Sequence, residues 1–376
     1  MRIGIDTYSL LSSTTGIGRY TAQLIDNLNY IKKPEDEIFY FWGYEHGVTK
    51  KMISDITAFS MNKKFDITKQ NLWEQLVLPF KIKKYNLDIY HCSRNFNIPY
   101  WNWLDIPVLV TVHDIIPLLF TDDYNRTEIT KLKYRLTLNN ADFVIVVSKN
   151  TKNDILKYFN INEDKIKVIP NSVSKIFENY NLKDGKIEKI RSKYDLADKF
   201  LLTTGGLEPR KNLNLLIEVM KKAEKKYPKL FKNVDLAVTS PEWLEKERPI
   251  NNLNNIKILG YVDEDDFPIL MSEAELFLFP SLYEGFGLPP LEAMASCTPV
   301  ISSNRSSLPE VVGDAAVMLD PDDQEIWLEN IIQFLRSSEK CEEYIARGKQ
   351  RITYFSQNRI AYKIYEVYKE IILDYN

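Results

Sequence analysis

Short apolar segments alternate with helical patterns along nearly the whole chain. In the first half, the apolar segments that predict strands are Arg2–Ile5, Ile38–Trp42, Ile89–His91, Val108–Val112 and Phe143–Val147. In the second half, they are Leu201–Thr204, Val234–Thr239, Ile256–Leu259, Leu276–Phe279 and Pro299–Ser302. Segments with helical periodicity lie between them, among them Tyr20–Leu28, Glu128–Asn139, Leu213–Tyr227 and Asp322–Ser337. Within these strands, apolar and polar residues do not alternate, because most positions are apolar. Such strands, separated by helices, indicate parallel sheets covered on both faces.

The alternation divides into two halves, each with the pattern of a doubly wound sheet. A length of 376 residues exceeds what one hydrophobic core comfortably holds, and the seam falls near residue 172. We therefore predict an α/β fold with Rossmann-like domains at residues 1–172 and 173–355. Residues 356–376 are predicted to form a C-terminal helix that packs back on the N-terminal domain, because its apolar residues recur at helical spacing.

Composition and charge narrow the class of protein. The chain is 44% hydrophobic and 27% charged, as in an ordinary folded enzyme. Its 49 Lys and Arg residues against 52 Asp and Glu residues argue against nucleic acid as a partner, since nucleic-acid binders carry a basic excess. The three cysteines are widely spaced, which favours a reducing compartment. A strand begins at residue 2 and no apolar run reaches the ~18 residues of a membrane span, so we expect a cytoplasmic protein.

The segment from Glu284 to Glu292 carries the strongest chemical signal. It follows an apolar strand and joins a carboxylate to two glycines and the pair Pro289–Pro290. Glycines allow backbone N–H groups to approach a ligand closely, and prolines suit the first turn of a helix. A helix N-terminus presented in this way favours an anion such as a diphosphate. The two glutamates could bind hydroxyl groups on either side of it.

A second motif runs from Thr203 to Asn212 and includes Gly205–Gly206 and Arg210–Lys211. It follows the first strand of the second half and precedes a helix. Two adjacent cations at this place can neutralise a leaving diphosphate, Arg as a planar fork and Lys as a point charge. The alternative is a solvated turn in which Asn212 caps the helix, and the paired glycines make it the weaker of the two.

Two further candidates lie in the first half. Gly16 and Gly18 form a truncated glycine loop between a strand and a helix, and an ordinary turn explains them equally well. His113 follows the strand Val108–Val112, at the edge of a parallel sheet where ligands bind, although a packing role stays open. Asp114 could orient its imidazole or cap the next turn.

Other polar and aromatic clusters carry weaker signals. The acidic clusters at 263–266 and 322–323 precede helices, so we interpret them as helix caps and predict no metal site. The aromatic patch at 100–103 and the segment Leu72–Lys84 suit a membrane surface, a sugar acceptor or core packing. All three readings stay open.

Taken together, these motifs resemble those of the retaining family 4 glycosyltransferases, which have the two-domain GT-B fold. The resemblance spans nearly all of the chain, and the sequences of the motifs are most similar to those of bacterial mannosyltransferases. The segment Glu284–Glu292 is its strongest element, followed by Gly206–Asn212, and Leu308–Ala316 matches the closing pattern of the family. The resemblance implies two Rossmann-like domains that face each other across a cleft.

The resemblance also implies roles for individual residues. Arg210 and Lys211 would hold the donor diphosphate, Glu284 would bind hydroxyls of the donor sugar, and His113 would lie beside that sugar. Glu292 would take the ribose hydroxyls. The remaining donor-binding residues implied by the family are Gly16 and Gly18 from the first domain, Gly206, the backbone at Phe286, Gly287 and Leu288, and Tyr261 and Val262 near the nucleobase.

The reaction implied is transfer of a hexose, with retained configuration, from a nucleotide-diphosphate sugar to a glycan or lipid-linked saccharide. GDP-mannose is the expected donor, surface polysaccharide biosynthesis the expected process, and neither a metal nor another cofactor is expected. A peripheral contact with the inner face of the cytoplasmic membrane stays open. So do donors based on UDP or dTDP carrying glucose, N-acetylhexosamine or rhamnose, a GT-B nucleotide-sugar epimerase, a phosphorylase, and a non-catalytic nucleotide-sugar binder.

Overall fold

The computed structural model describes residues 1–12, 16–43, 48–49, 67–96, 98–100, 104–120, 127–177, 186–205, 208–240 and 255–375. The chain forms two compact units. The first contains Met1–Ser172 together with Gln357–Asn376, and the second contains Val173–Ser356. The C-terminal helix therefore belongs to the same unit as the first half of the chain.

The first unit is built on a sheet of seven strands among its described residues, in the order β3-β2-β1-β4-β5-β6-β7. β3 pairs antiparallel with β2, and the other pairs are parallel. A parallel sheet needs helices on both faces, which explains why its strands are apolar throughout. The strands are β1 Arg2–Asp6, β2 Glu37–Phe41, β3 Val48–Thr49, β4 Ile89–Cys92, β5 Val108–Val112, β6 Phe143–Val146 and β7 Ile166–Val168.

Helices cover the two faces of this sheet. The C-terminal helix α15 packs on α1, and its apolar residues Ile360, Ile364 and Ile371 are buried in one core with β1 and α1. The described helices of this unit are α1 Gly16–Ile31, α2 Ile67–Leu72, a π-helical turn Trp73–Val77, α3 Leu78–Lys84, α4 Ile116–Leu119, α5 Thr127–Asn140, α6 Lys149–Tyr158 and α15 Gln357–Tyr375.

The second unit is a six-stranded, fully parallel sheet in its described part, with the order β10-β9-β8-β11-β12-β13. Trp327 is fully buried in its core. The strands are β8 Lys199–Thr204, β9 Val234–Thr239, β10 Ile256–Gly260, β11 Leu276–Phe279, β12 Val300–Ser303 and β13 Val317–Leu319. The helices are α7 Lys186–Lys193, α8 Leu213–Lys226, α9 Pro228–Phe231, α10 Phe267–Glu273, α11 Leu288–Ala295, α12 Leu308–Val312, α13 Gln324–Arg336 and α14 Ser338–Ile352.

The alternation of strands and helices predicted from the sequence is confirmed, with three strands added. β3, β7 and β13 are only two or three residues long, so they lack the apolar run that the prediction needs. Helix α1 begins at Gly16, so the two glycines lie in its first turn and not in a loop before it. None of the described helices combines the length and the apolarity that crossing a bilayer requires.

A buried polar network ties the C-terminal helix to the first sheet. The His91 Nδ1 atom lies 2.5 Å from the Tyr368 hydroxyl, and the His91 Nε2 atom lies 2.7 Å from the Thr111 hydroxyl. The Tyr20 hydroxyl is 3.0 Å from the same Thr111 oxygen. Burial lowers the pKa of His91 to about 3, so the imidazole is neutral at physiological pH. Both ring nitrogens of His91 therefore depend on these neutral hydroxyl groups for their hydrogen bonds.

We expect Tyr368→Phe to lower the free energy of unfolding of the protein by about 1–3 kcal/mol, because it leaves a fully buried ring nitrogen without its partner. The matched control is Tyr362→Phe on the same helix, where the side chain is 56% exposed and the change should stay within about 0.5 kcal/mol. Urea unfolding of both variants measures the difference. Equal stability of the two variants would contradict the assignment of the network.

Candidate active site

The candidate site of the second unit lies where β8 and β11 end side by side. These strands are parallel neighbours, so their carboxyl ends meet at one edge of the sheet. After β8, a short 3-10 turn, Pro209–Lys211, carries the two cations. After β11, the loop through Glu284 leads into α11. The Leu282 N–H donates to the Arg210 carbonyl at 2.7 Å, which joins the two segments directly.

Four charged side chains form a compact cluster there. Lys211 Nζ lies 2.7 Å from Glu284 Oε1, and an Arg210 nitrogen lies 3.2 Å from Glu284 Oε2. A second Arg210 nitrogen lies 2.7 Å from Glu208. The side chains of Arg210, Lys211 and Glu284 are at most 16% exposed. Two cations and two carboxylates therefore balance, and the cluster has no net charge.

The cluster determines the charge state of Glu284. Burial alone would raise the pKa of its carboxyl group, but the charges of Lys211 and Arg210 outweigh this effect. The hydrogen bond from Lys211 acts in the same direction, and the pKa of Glu284 is lowered. The carboxylate is therefore ionised at neutral pH, when it can accept hydrogen bonds but cannot donate them.

Gly205 makes room for the Lys211 side chain. Its φ of +124° is one that residues with a Cβ rarely adopt, and a Cβ there would lie 3.0 Å from Lys211 Cδ. The stem of Lys211 therefore runs directly past the glycine backbone. The Lys211 ammonium also lies 5.4 Å from the centre of the Phe279 ring, within the range of a cation–π interaction.

The N-terminus of α11 has few free donors because of its prolines. Gly287 precedes the helix with a φ of +111°, and a Cβ at this position would lie 2.7 Å from Leu308 Cδ2. Pro289 and Pro290 have no N–H group, and the Leu291 N–H already bonds within the helix, so the helix N-terminus offers the amides of Gly287 and Leu288. Phe286 is buried beside this turn, and Glu292 is almost fully buried in the helix.

Serines at the end of β12 and in the loop after it support the Glu284 loop, and the sequence prediction gave them no role. The Glu284 N–H donates to Ser306 Oγ at 2.9 Å, and Ser307 Oγ lies 2.9 Å from the Glu284 carbonyl oxygen and 2.6 Å from that of Phe286. Ser303 Oγ donates to the Ser281 carbonyl. The available signal was the unusual density of serines immediately after a strand.

The remaining predicted residues of the second unit lie near the end of β10 or outside the described part. Tyr261 follows β10 and is 41% exposed, whereas Val262 is buried. Gly206 lies outside the described residues, as does most of the aromatic patch at 100–103. Asn212 adopts a left-handed conformation and makes no side-chain cap to α8, and its amide donates to the Pro321 carbonyl at 2.9 Å.

Of the two acidic clusters that were predicted to cap helices, one does so and the other does not. Asp323 Oδ1 accepts two N–H groups of α13, which confirms a cap there. Asp266 makes no side-chain cap to α10, so that prediction was wrong; Lys193 lies 2.7 Å from both Asp263 and Asp266 instead. Within the described ranges, no group of three or more His, Cys, Asp and Glu side chains is arranged to hold a metal ion.

His113 lies at the carboxyl edge of the first sheet and is buried. Its Nε2 is 2.8 Å from the Ser93 carbonyl oxygen, and the Tyr20 ring meets the imidazole edge-on at 4.7 Å. Burial lowers its pKa to about 4, so the ring is neutral at physiological pH. Asp114 Oδ1 accepts the Ile116 N–H. Of the two roles considered for Asp114, this is the cap of the next turn. Gly16, at the start of α1, is exposed, and Gly18 is buried.

Comparisons with known proteins agree with these features. Residues 186–351 match the family described as group 1 glycosyl transferases, and residues 55–175 match glycosyltransferase family 4. O-antigen chain mannosyltransferase B of Escherichia coli is 29% identical, over 98% of this chain and 100% of that protein. O-antigen chain mannosyltransferase RfbU of Salmonella typhimurium is 30% identical, over 64% of this chain and 67% of that protein.

A solved structure shares the fold across both units. Anabaena Alr3699/HepE, crystallised in complex with UDP-glucose, superposes with a TM-score of 0.67 at 17% identity, covering 98% of this chain and 100% of that one. At this identity the likeness concerns the fold alone. Both family matches and the relatedness to RfbU lead to one conclusion. The chain belongs to the family 4 glycosyltransferases, and its fold is the GT-B fold.

Proposed function

We propose that this glycosyltransferase moves mannose from GDP-mannose to a glycan or lipid-linked saccharide in surface polysaccharide biosynthesis. The observation that carries the proposal is the cluster of Arg210, Lys211 and Glu284 at the carboxyl ends of β8 and β11. Its ionised carboxylate suits sugar hydroxyls, and its cations suit a diphosphate. The two O-antigen relatives, both named as mannosyltransferases, support mannose as the sugar.

The proposed chemistry depends on where charge develops. When the anomeric C–O bond breaks, positive charge develops on the sugar and negative charge on the departing nucleoside diphosphate. Arg210 and Lys211 would stabilise the leaving group, together with the amides of Gly287 and Leu288. One preorganised donor of this kind is worth roughly 3 kcal/mol in the transition state. Two fixed cations perform the role that a divalent ion performs elsewhere, so we propose a metal-independent reaction without another cofactor.

Retention follows if the acceptor attacks the face from which the diphosphate departs. A new C–O bond then forms to the acceptor oxygen as the bond to the phosphate oxygen breaks, and the acceptor proton passes to that phosphate oxygen. His113, neutral and held by Ser93, would lie beside the donor sugar, as in the family pattern, with Gly16 and Gly18 lining the same side. Glu292 would bind the ribose.

The base of the donor would be bound near the carboxyl end of β10. The partly exposed Tyr261 and the buried Val262 would contact it. HepE was crystallised with UDP-glucose, which keeps UDP-sugars as the alternative donor, and dTDP-sugars remain open as well. An epimerase would interconvert the nucleotide sugar without an acceptor, a phosphorylase would consume inorganic phosphate, and a mere binder would show no turnover.

We also propose that the protein is cytoplasmic and contacts an anionic membrane surface through the segment Leu72–Lys84. Its π-helical turn directs Glu74 inward, where Arg94 binds it at 2.8 Å. Leu76 in this turn, Leu72 before it and Phe80 after it are more than half exposed. Lys81, Lys83 and Lys84 follow immediately on α3. Apolar side chains beside lysines match the chemistry of an anionic bilayer, where a lipid-linked acceptor would reside.

We expect Arg210→Ala and Glu284→Gln each to lower the rate of mannosyl transfer by about 10²-fold or more, because each removes a charge that the transition state uses. The control is Glu325→Gln, which also pairs with two lysines but is half exposed on α13. It should transfer at the wild-type rate. Steady-state assays with GDP-mannose and an acceptor panel measure these rates. Wild-type rates in both site variants would refute the site assignment.

The donor base is tested by thermal denaturation with GDP, UDP and dTDP and with their sugars. A ligand at 100 times its dissociation constant stabilises the native state by about 2.7 kcal/mol, so GDP and GDP-mannose should raise the Tm most. The Arg210→Ala variant should lose most of that shift. A larger rise in Tm with UDP or dTDP ligands would contradict GDP-mannose and identify that nucleotide as the one in the donor.

Membrane contact is tested by sedimentation with vesicles of phosphatidylglycerol and, separately, of phosphatidylcholine. The wild-type protein should sediment with the anionic vesicles and lose this binding at high salt. Leu72→Glu combined with Leu76→Glu should weaken binding at least about tenfold, since two apolar contacts are lost. The control Leu373→Glu changes a more exposed leucine on α15 and should bind normally. Equal binding by all three proteins would exclude this surface.

A further inference from the structure

Ser306 adopts a backbone conformation that its residue type rarely takes. Its φ is +50°, in the left-handed region where a Cβ crowds the backbone. Among the described residues, five non-glycine positions have positive φ, and three of them are Asn or Asp, which tolerate this region. Ser306 and Cys297 are the exceptions. Strain of this kind persists only where the surrounding structure imposes it, and it is found preferentially at functional sites.

The strained conformation places the Ser306 hydroxyl at the backbone of Glu284. Ser306 Oγ accepts the Glu284 N–H at 2.9 Å, and the neighbouring Ser307 Oγ lies 2.9 Å from the Glu284 carbonyl oxygen. Both peptide groups that flank Glu284 are therefore held by side chains from a loop more than twenty residues away. A glycine would take the same φ without strain but would leave the Glu284 amide without this acceptor.

The held peptide groups determine where the Glu284 carboxylate lies. A side chain can turn about its own bonds, but its reach depends on the orientation of the backbone from which it starts. With both flanking peptides held, Glu284 meets Lys211 at 2.7 Å and Arg210 at 3.2 Å. Ser307 Oγ extends the support to the Phe286 carbonyl at 2.6 Å, next to the turn that opens α11.

We propose that Ser306 and Ser307 are positioning residues that orient Glu284 toward the donor sugar. The inference rests on the proposed role of Glu284 in binding that sugar. The proposed diphosphate contacts belong to Arg210, Lys211 and the start of α11, whereas the Ser306 hydroxyl bonds to Glu284. Ser306 should therefore govern recognition of the sugar and leave the affinity for the nucleotide alone unchanged. This separates it from residues that merely stabilise the fold, which would affect both affinities through the fraction of folded protein.

Ser306→Gly provides the sharpest test, because it removes the hydroxyl and the strain together. The variant should keep a Tm close to that of the wild type, because relief of the positive φ offsets the lost hydrogen bond. Its kcat for sugar transfer should fall about tenfold, as expected for a hydrogen bond that orients a reacting group. Calorimetry should give an unchanged Kd for GDP, while the preference for GDP-mannose over GDP falls by a similar factor. Ser307→Ala provides a second variant, in which kcat and the preference for GDP-mannose should fall by a similar factor.

Cys297→Gly is the matched control, since it relieves positive φ at the carboxyl end of α11 without touching Glu284. It should leave kcat and both affinities unchanged. Wild-type kcat and sugar preference in Ser306→Gly and Ser307→Ala would overturn the positioning role while leaving the proposed function standing. If UDP proves to be the base, UDP and UDP-glucose replace the two probes. A wild-type protein that binds and transfers no nucleotide sugar would refute the proposed function, and this inference with it.

Discussion

The second unit depends on one electrostatic constraint, which is the burial of Glu284 between Lys211 and Arg210. A buried carboxylate is costly unless it is paired, and its two cations come from a different strand end. Adjacent parallel strands are what bring these charges within 3.2 Å of one another. The sheet order is therefore a condition for the site, and the ionised state of Glu284 is its consequence.

Two glycines provide the space that this cluster and the start of α11 need. Gly205 leaves space for the Lys211 stem, and Gly287 allows α11 to begin against Leu308. A methyl group at either position would meet a neighbour at 3.0 Å or less and require strained backbone. The first unit differs because its buried polar groups are neutral. There, His91 and Tyr368 form a hydrogen bond with each other inside an apolar core. There the network holds a C-terminal helix in place and carries no net charge.

Much of the fold and part of the site could be predicted because they depend on local patterns. Continuous apolar runs marked the long strands, and the glycines and prolines around Glu284 marked a ligand-facing loop. Three short strands escaped because two or three residues form no periodic signal. The cap predicted before α10 is not made because Asp266 pairs instead with Lys193, which lies 73 residues away in the chain. The supporting role of the serines was not predicted, because the positive φ of Ser306 and its bond to Glu284 are visible only in the tertiary structure.

By itself, the sequence determined the α/β class, the order of elements and the family, because apolar periodicity and short motifs are properties of neighbouring residues. It also indicated that Arg210, Lys211 and Glu284 act together. Only the tertiary structure decided how they do so, with Glu284 ionised between both cations and its peptide groups held by Ser306 and Ser307. The reason is that a pKa and a hydrogen-bond partner depend on distances between residues far apart in the chain, which no local pattern records.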